Sequence, residues 1–328
     1  MTDRIFLESV GKPYSTTALG HARAWEVHHL SNDPALPPLM YIMESEIGNR
    51  FLLGREVSGR LKFNMIRYIA KSFVDLFLEQ IKNQDVAQYL FLKNAYPFDL
   101  QDAVAAAAPF DLLLLPTVFI RVHRIPNQDG TDRDIQFQDP IGEYRGDTWL
   151  IPIPVIASGL TVASLLRTGF KHHRPKRVYL LTACGSTQGI RRIFGECRKA
   201  EVELIPVFSQ CIFEVGAAGN LPGRSLPSLT VIHPGSIATE SFYKEAAERY
   251  QGMPMCCIGN LEDSLNHPVQ YTMDTLWEMQ VLGMDPTKEN WSNWTVNVRE
   301  ENFQKKMLEF NPGVFNYFME TWKKGPSR

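Results

Sequence analysis

The segment TWLIPIPVIASGLTVASLLRTG, residues 148–169, constrains this chain more than any other. An apolar stretch, Trp149–Ile156, runs into Ala157-Ser158-Gly159-Leu160-Thr161, and a helical pattern follows to residue 168. A strand with no polar face must be covered on both sides, as in the middle of a parallel sheet. Small residues at the turn let the backbone approach a ligand closely. The hydroxyls of Ser158 and Thr161, with the free N–H groups of a helix start, suit an anion and above all a phosphate. The strand also contains Pro152 and Pro154, which remove backbone donors from what should be a central position.

The rest of the chain repeats this alternation. Met65, Ile66, Ile69, Ala70, Phe73, Leu76 and Phe77 recur at helical spacing, and Ser58 can cap a helix over roughly 59–81. From residue 88 short apolar runs alternate with helical stretches. Strands are predicted at Tyr89–Leu92, at Leu112–Val122 with a break at Pro116, and at Arg177–Ala183. Further strands are predicted at Leu204–Phe208, Leu229–Ile232 and Met255–Ile258, and helices at Leu100–Ala107 and after Ser186. This order implies an α/β fold, a mainly parallel sheet with helices on both faces. Residues 124–147 read as a flap hairpin and 216–228 as a loop. The divisions expected are an N-terminal extension with one strand at 1–50, an α/β core at 51–270 and a helical C-terminal extension at 271–328.

The composition excludes several classes. The 328 residues carry a net charge of −2 and are 44% hydrophobic. No basic surplus argues for nucleic acid or for an anionic membrane surface. The longest apolar stretch, near Ala105–Ile120, is broken by Pro109, Asp111 and Pro116 and is too interrupted to span a bilayer. Cys184, Cys197, Cys211, Cys256 and Cys257 form no CxxC pair and read as reduced thiols. The opening MTDRIFLESVGK lacks a signal-peptide core. A cytoplasmic protein is expected, with a small phosphorylated molecule as its partner and neither nucleic acid nor membrane.

With these residues in view, the sequence resembles the uracil phosphoribosyltransferases, of the type I phosphoribosyltransferase fold. Pro154 to Thr161 is similar to that family's DPMLATGG, and Leu180 to Ile190 to its VAAPEGI-like segment. The matches Leu92-Lys93-Asn94-Ala95 to LRAG, Ile120–Arg124 to a GMYR-like strand, and Cys257–Ser264 to PGLGDAGDR follow in the same order. The resemblance covers roughly 55–270. It implies transfer of a ribose 5-phosphate group from phosphoribosyl pyrophosphate to a base nitrogen. Carried over, Ala157, Ser158, Gly159, Leu160 and Thr161 would hold the 5-phosphate. Lys93 and Asn94 would meet the pyrophosphate, with a Mg²⁺ ion held by the ligand rather than by protein side chains. Arg124 would close from the flap. Ile258, Gly259, Asn260 and Asp263 would face a uracil- or pyridone-like ring. The resemblance also suggests a homodimer.

The sequence departs from the family where the donor sugar would sit. The acidic residue that holds the ribose hydroxyls is replaced by Ile153, the second loop glycine by Leu160, and the pyrophosphate-loop arginine by Lys93. Two other readings therefore stand beside an enzyme: a non-catalytic nucleotide or phosphosugar binder with a regulatory role, and a fold repurposed for another step on a heterocycle. For the latter, Cys257 or Cys256 is a candidate thiol nucleophile with His233 or His267 as base, against the plainer reading of buried strand cysteines. The pairs His28-His29 and His172-His173 point apart in regular structure and do not make a metal site.

Overall fold

The computed structural model describes residues 4–28, 33–54, 57–92, 98–107, 115–126, 133–137, 140–214, 230–250, 252, 254–257 and 271. From the N-terminus come β1 (Ile5–Phe6), one helical turn α1 (Leu7–Val10), then β2 (Gly11–Thr16), β3 (Ala22–His28) and β4 (Leu39–Ser45). Helices α2 (Glu46–Leu53) and α3 (Gly59–Ile81) follow, then β5 (Val86–Phe91), α4 (Leu100–Ala107) and β6 (Thr117–Ile120). Strands β7 (Val122–Pro126) and β8 (Arg133–Phe137) pair antiparallel as the expected hairpin. The central run is β9 (Thr148–Ile156), α5 (Leu160–Gly169), β10 (Arg177–Ser186), α6 (Thr187–Ala200) and β11 (Glu203–Ser209). Then come β12 (Ile212–Phe213), β13 (Thr230–Val231), β14 (Ile237–Ala238), α7 (Glu240–Arg249) and β15 (Met255–Cys256).

The large sheet has the order β6-β5-β9-β10-β11-β4-β3-β2. The six strands from β6 to β4 are all parallel, and β3 and β2 extend them antiparallel. The α/β expectation is met. The N-terminal region supplies four strands rather than one, and β4 pairs with β11 through Val207↔Tyr41 to Ser209↔Met43. Strand β10 runs three residues past the expected Ala183 because Gly185 and Ser186 pair with Ile212 and Phe213 of β12. Strand β6 starts at Thr117, immediately after the Pro116 that lacks an N–H. Within the expected Leu229–Ile232 and Met255–Ile258 strands, β13 and β15 pair antiparallel through Thr230↔Cys256 and Val231↔Met255.

The chain divides into two compact units. The first comprises Met1–Gly48, Ile66–Leu221 and His233–Phe242, and the second Asn49–Met65, Pro222–Ile232 and Tyr243–Arg328. The first holds the large sheet. Its core gathers Tyr89, Trp149, Ile151, Val162, Leu166, Val178, Leu180, Ile190 and Phe208. Every residue of β5 is buried, as is every residue of β10 after Arg177, which fits strands covered on both faces. Arg167 of α5 bonds Glu196 of α6 at 2.9 Å and 3.3 Å, tying neighbouring helices together. In the second unit Tyr250 donates to the Leu53 carbonyl at 3.1 Å, and the Cys257 amide donates to the Leu52 carbonyl. Among the described residues, no helix is long and apolar enough to cross a membrane.

Candidate functional site

Strand order locates the place where a ligand can approach the sheet. The connection from β5 to β6 runs one way along it, whereas β9, β10 and β11 step the other way. The switch point falls between β5 and β9, and in open α/β sheets ligands bind beyond the carboxyl ends of strands at such a point. The pairing of β9 also accounts for its two prolines. Strand β9 stays in register with β10 from Thr148 to Ile156, but its pairing with β5 covers only Thr148, Trp149 and Leu150. The Thr148 amide donates to the Asp85 carbonyl, on the β5 side. Alternate residues share a side, so Pro152 and Pro154 turn their donorless nitrogens toward β5 as well. They sit where the β5 ladder has already ended, while the ladder to β10 is kept.

The strand then gives way to the turn at residues 157–159 and to α5. Gly159 is the N-cap of α5 with φ +70, and no side chain caps the helix. The first amides of α5 lie outside its own ladder, which begins when the Ala163 amide donates to the Gly159 carbonyl at 2.9 Å. A Cβ on Gly159 would lie 2.3 Å from the Gly189 carbonyl oxygen, and one on Gly189 would lie 2.6 Å from the Ala157 oxygen. Both glycines are therefore demanded by close packing of the turn on the start of α6. Ser186 completes the arrangement. Its hydroxyl donates to the Ala157 carbonyl at 2.5 Å and accepts from the Gly189 amide at 2.9 Å, the predicted cap of α6. Replacing Ser186 with alanine removes a helix cap and the donor that holds the turn. It is expected to lower the unfolding free energy by about 1–2 kcal/mol in urea titration.

The five turn residues do not share one environment. Ala157, Ser158 and Leu160 are half-buried, whereas Gly159 and Thr161 are buried. The Ser158 hydroxyl and the backbone amides are thus better placed for an anion than the Thr161 hydroxyl. Ile153 is half-buried and packs against the core, an apolar group where the resemblance calls for an acid. Sequence reading passed over two polar residues, one on β5 and one just after β12. Gln88 of β5 is fully buried, donates to Asp99 at 2.8 Å and accepts from the Leu100 amide at 2.7 Å, setting the start of α4. Glu214, just after β12, accepts from the Thr187 hydroxyl at 2.8 Å at the start of α6. Neither carries a motif, so only the fold reveals them.

Other expected site residues are placed less fully. Arg124 lies on β7 of the flap hairpin, opposite Ile135. Lys93, Asn94, Ile258, Gly259, Asn260 and Asp263 lie outside the described residues, as do His29, His267 and the C-terminal extension beyond Tyr271. The His173 ring sits 2.9 Å from the Gly146 carbonyl, and His172 stacks on Tyr144 at 5.3 Å between centroids.

Cys257 belongs to the second unit. It is buried, with its sulfur 2.7 Å from the Tyr271 hydroxyl. The same unit holds Lys62, a residue the helical pattern gave no reason to single out. Lys62 is fully buried, and its ammonium sits 5.3 Å over the Phe51 ring and 5.1 Å over that of Tyr271. Its Nζ has no hydrogen-bond partner among the described residues. Burial holds its pKa below the ordinary lysine value of 10.5, against a weaker upward pull from Cys257 and Cys256. Between that lowered folded value and 10.5 the unfolded chain binds more protons than the folded one, so across this window the residue makes stability rise with pH. Lys62→Met is expected to stabilise the protein by about 1–3 kcal/mol at pH 7, the cost of an unpaired buried polar group. The gain should fade as the pH is raised toward 10.5, which denaturant titrations across pH would show.

No family model matches the chain, and no curated protein matches it. Solved structures do. The AQ2163 protein from Aquifex aeolicus is 17% identical over 50% of this chain and 82% of its own, with a TM-score of 0.40. A hypoxanthine phosphoribosyltransferase from Staphylococcus aureus is 14% identical over 44% of this chain and 72% of its own, at 0.31. The adenine phosphoribosyltransferase from Trypanosoma brucei is 15% identical over 51% and 83%, at 0.33.

Proposed function

We propose that this chain is a diverged phosphoribosyltransferase-like protein that binds a phosphorylated ligand of nucleotide or phosphoribosyl type. The observation that carries the reading is the uncapped start of α5 behind a left-handed Gly159, at the switch point of a parallel sheet. The ligand's phosphate is held by the turn amides and Ser158, with the positive end of the α5 dipole behind it. A Mg²⁺ ion enters only with a pyrophosphate-bearing ligand, whose oxygens hold it.

A non-catalytic role is favoured by one specific feature, the apolar Ile153, which cannot accept a hydrogen bond from a ribose hydroxyl. Calorimetric titration separates the two readings. Phosphoribosyl pyrophosphate with Mg²⁺, UMP and inorganic phosphate are the three ligands. Binding of the pyrophosphate donor, followed by pyrophosphate release with a pyrimidine or pyridone, supports transfer. Binding of UMP alone supports a nucleotide-binding role, and binding of none of the three ends the proposal. Ser158→Ala with Thr161→Ala is expected to weaken any such ligand about tenfold or more, as loss of hydrogen bonds to a charged group does. Unchanged affinity would remove the turn from the site.

A further inference from the structure

Along α6, Arg191, Phe194, Gly195 and Arg198 fall three, four and seven residues apart and so share one face of the helix. With Lys199 and Ala35 they line a cavity of about 340 Å³, at the small end of the range for ligand pockets, roughly 300–1,000 Å³. The chain just before β4 fixes both arginines. Asp33 accepts from the Arg191 Nε at 2.8 Å and also from the Ala35 amide at 2.8 Å. The Pro34 carbonyl accepts from a terminal nitrogen of Arg198 at 3.0 Å. Both arginines are exposed, and a guanidinium carries five N–H donors in a planar fork, so each keeps donors to spare beyond these contacts. Lys199 adds charge. Its partner Glu196 is shared with Arg167, so Arg167, Arg191, Arg198 and Lys199 are set against two carboxylates, Asp33 and Glu196.

Gly195 is the second independent sign. Glycine is unfavourable inside a helix. Packing does not require it, since a Cβ at Gly195 would meet nothing within 4 Å. Its effect is to keep open a volume that any side chain would occupy. Beside it Phe194 is half-buried and offers an aromatic wall, and the arginine stems add aliphatic surface.

The geometry points to a second ligand site on this face of α6, for a small anion carried on a flat apolar body. Arg191 and Arg198 take the anionic group, and Phe194 takes the body. The site draws on no residue of the α5 turn. Phenyl phosphate, benzoate and inorganic phosphate, titrated calorimetrically into the full-length protein, test it. Phenyl phosphate or benzoate should bind saturably and at least tenfold more tightly than inorganic phosphate. The better of the two identifies the anionic group as phosphate or carboxylate. Arg191→Ala with Arg198→Ala should weaken that binding at least tenfold. Gly195→Leu should abolish it while leaving the melting temperature unchanged or raised, because leucine is the better helix former. The idea is overturned if neither organic anion binds, if inorganic phosphate binds as tightly, or if binding survives Gly195→Leu. Binding that persists in Gly195→Leu but falls in Ser158→Ala/Thr161→Ala belongs to the α5 turn and overturns it equally.

Discussion

Gly159→Ala should destabilise the first unit by about 2–5 kcal/mol and abolish ligand binding at the α5 turn. Two costs add. A left-handed conformation at φ +70 burdens any residue with a Cβ by about 1–2 kcal/mol. The new methyl would also lie 2.3 Å from the Gly189 carbonyl oxygen, a backbone atom that cannot step aside as a side chain can. Overpacking of this kind typically costs about 1–3 kcal/mol. Gly195→Ala is the internal comparison. The same chemical change in open space on α6 should stabilise by about 0.5–1 kcal/mol through helix propensity alone. Opposite signs in paired urea titrations would establish that the constraint at Gly159 comes from its neighbours. Equal small effects at both positions would contradict the packing of turn on helix.

Trp149→Ala is expected to cost about 3–5 kcal/mol, the range for emptying a buried aromatic site. Trp149 is fully buried at the start of β9, its ring 4.2 Å from that of Tyr89 and 5.5 Å from that of Phe170. A Cβ on Gly169, at the end of α5, would touch the indole at 2.8 Å. The side chain therefore joins β5, β9 and the far end of α5, and its loss should loosen the strand–turn–helix unit as a whole. Its indole N–H has no hydrogen-bond partner among the described residues. Trp149→Phe removes that unpaired donor and leaves a smaller void than alanine does, so it should cost clearly less than the alanine variant. A phenylalanine variant as damaged as the alanine one would mean that the indole nitrogen matters in a way the packing does not show.

What could be read from sequence was mostly what local chemistry decides. Helix α3 was legible from its period, the α6 cap from Ser186, and the turn from Ser158-Gly159 between an apolar strand and a helix. What escaped was decided by distant pairing. Strand β2, GKPYST, has no apolar alternation and exists because it hydrogen-bonds to β3. One of the two partners of β4 lies more than 160 residues away in β11. The prolines of β9 counted against a central strand until the pairing was known. They mark the stretch where β9 is bonded on one side alone. Lys62 sits in an amphipathic helix, where a lysine is ordinarily solvated, and only the fold reveals its burial under two rings. Ile153 was legible as a departure, and its half-buried packing against the core is a fact of the fold.

The central claim is that a phosphate is gripped where β9 ends and α5 begins. Backbone amide chemical shifts of the labelled protein, followed while UMP is titrated in, test it most directly. Saturable shifts should be largest at Ser158, Gly159, Leu160, Thr161 and Val162. Binding of UMP that leaves these amides unmoved and perturbs another part of the chain would contradict it.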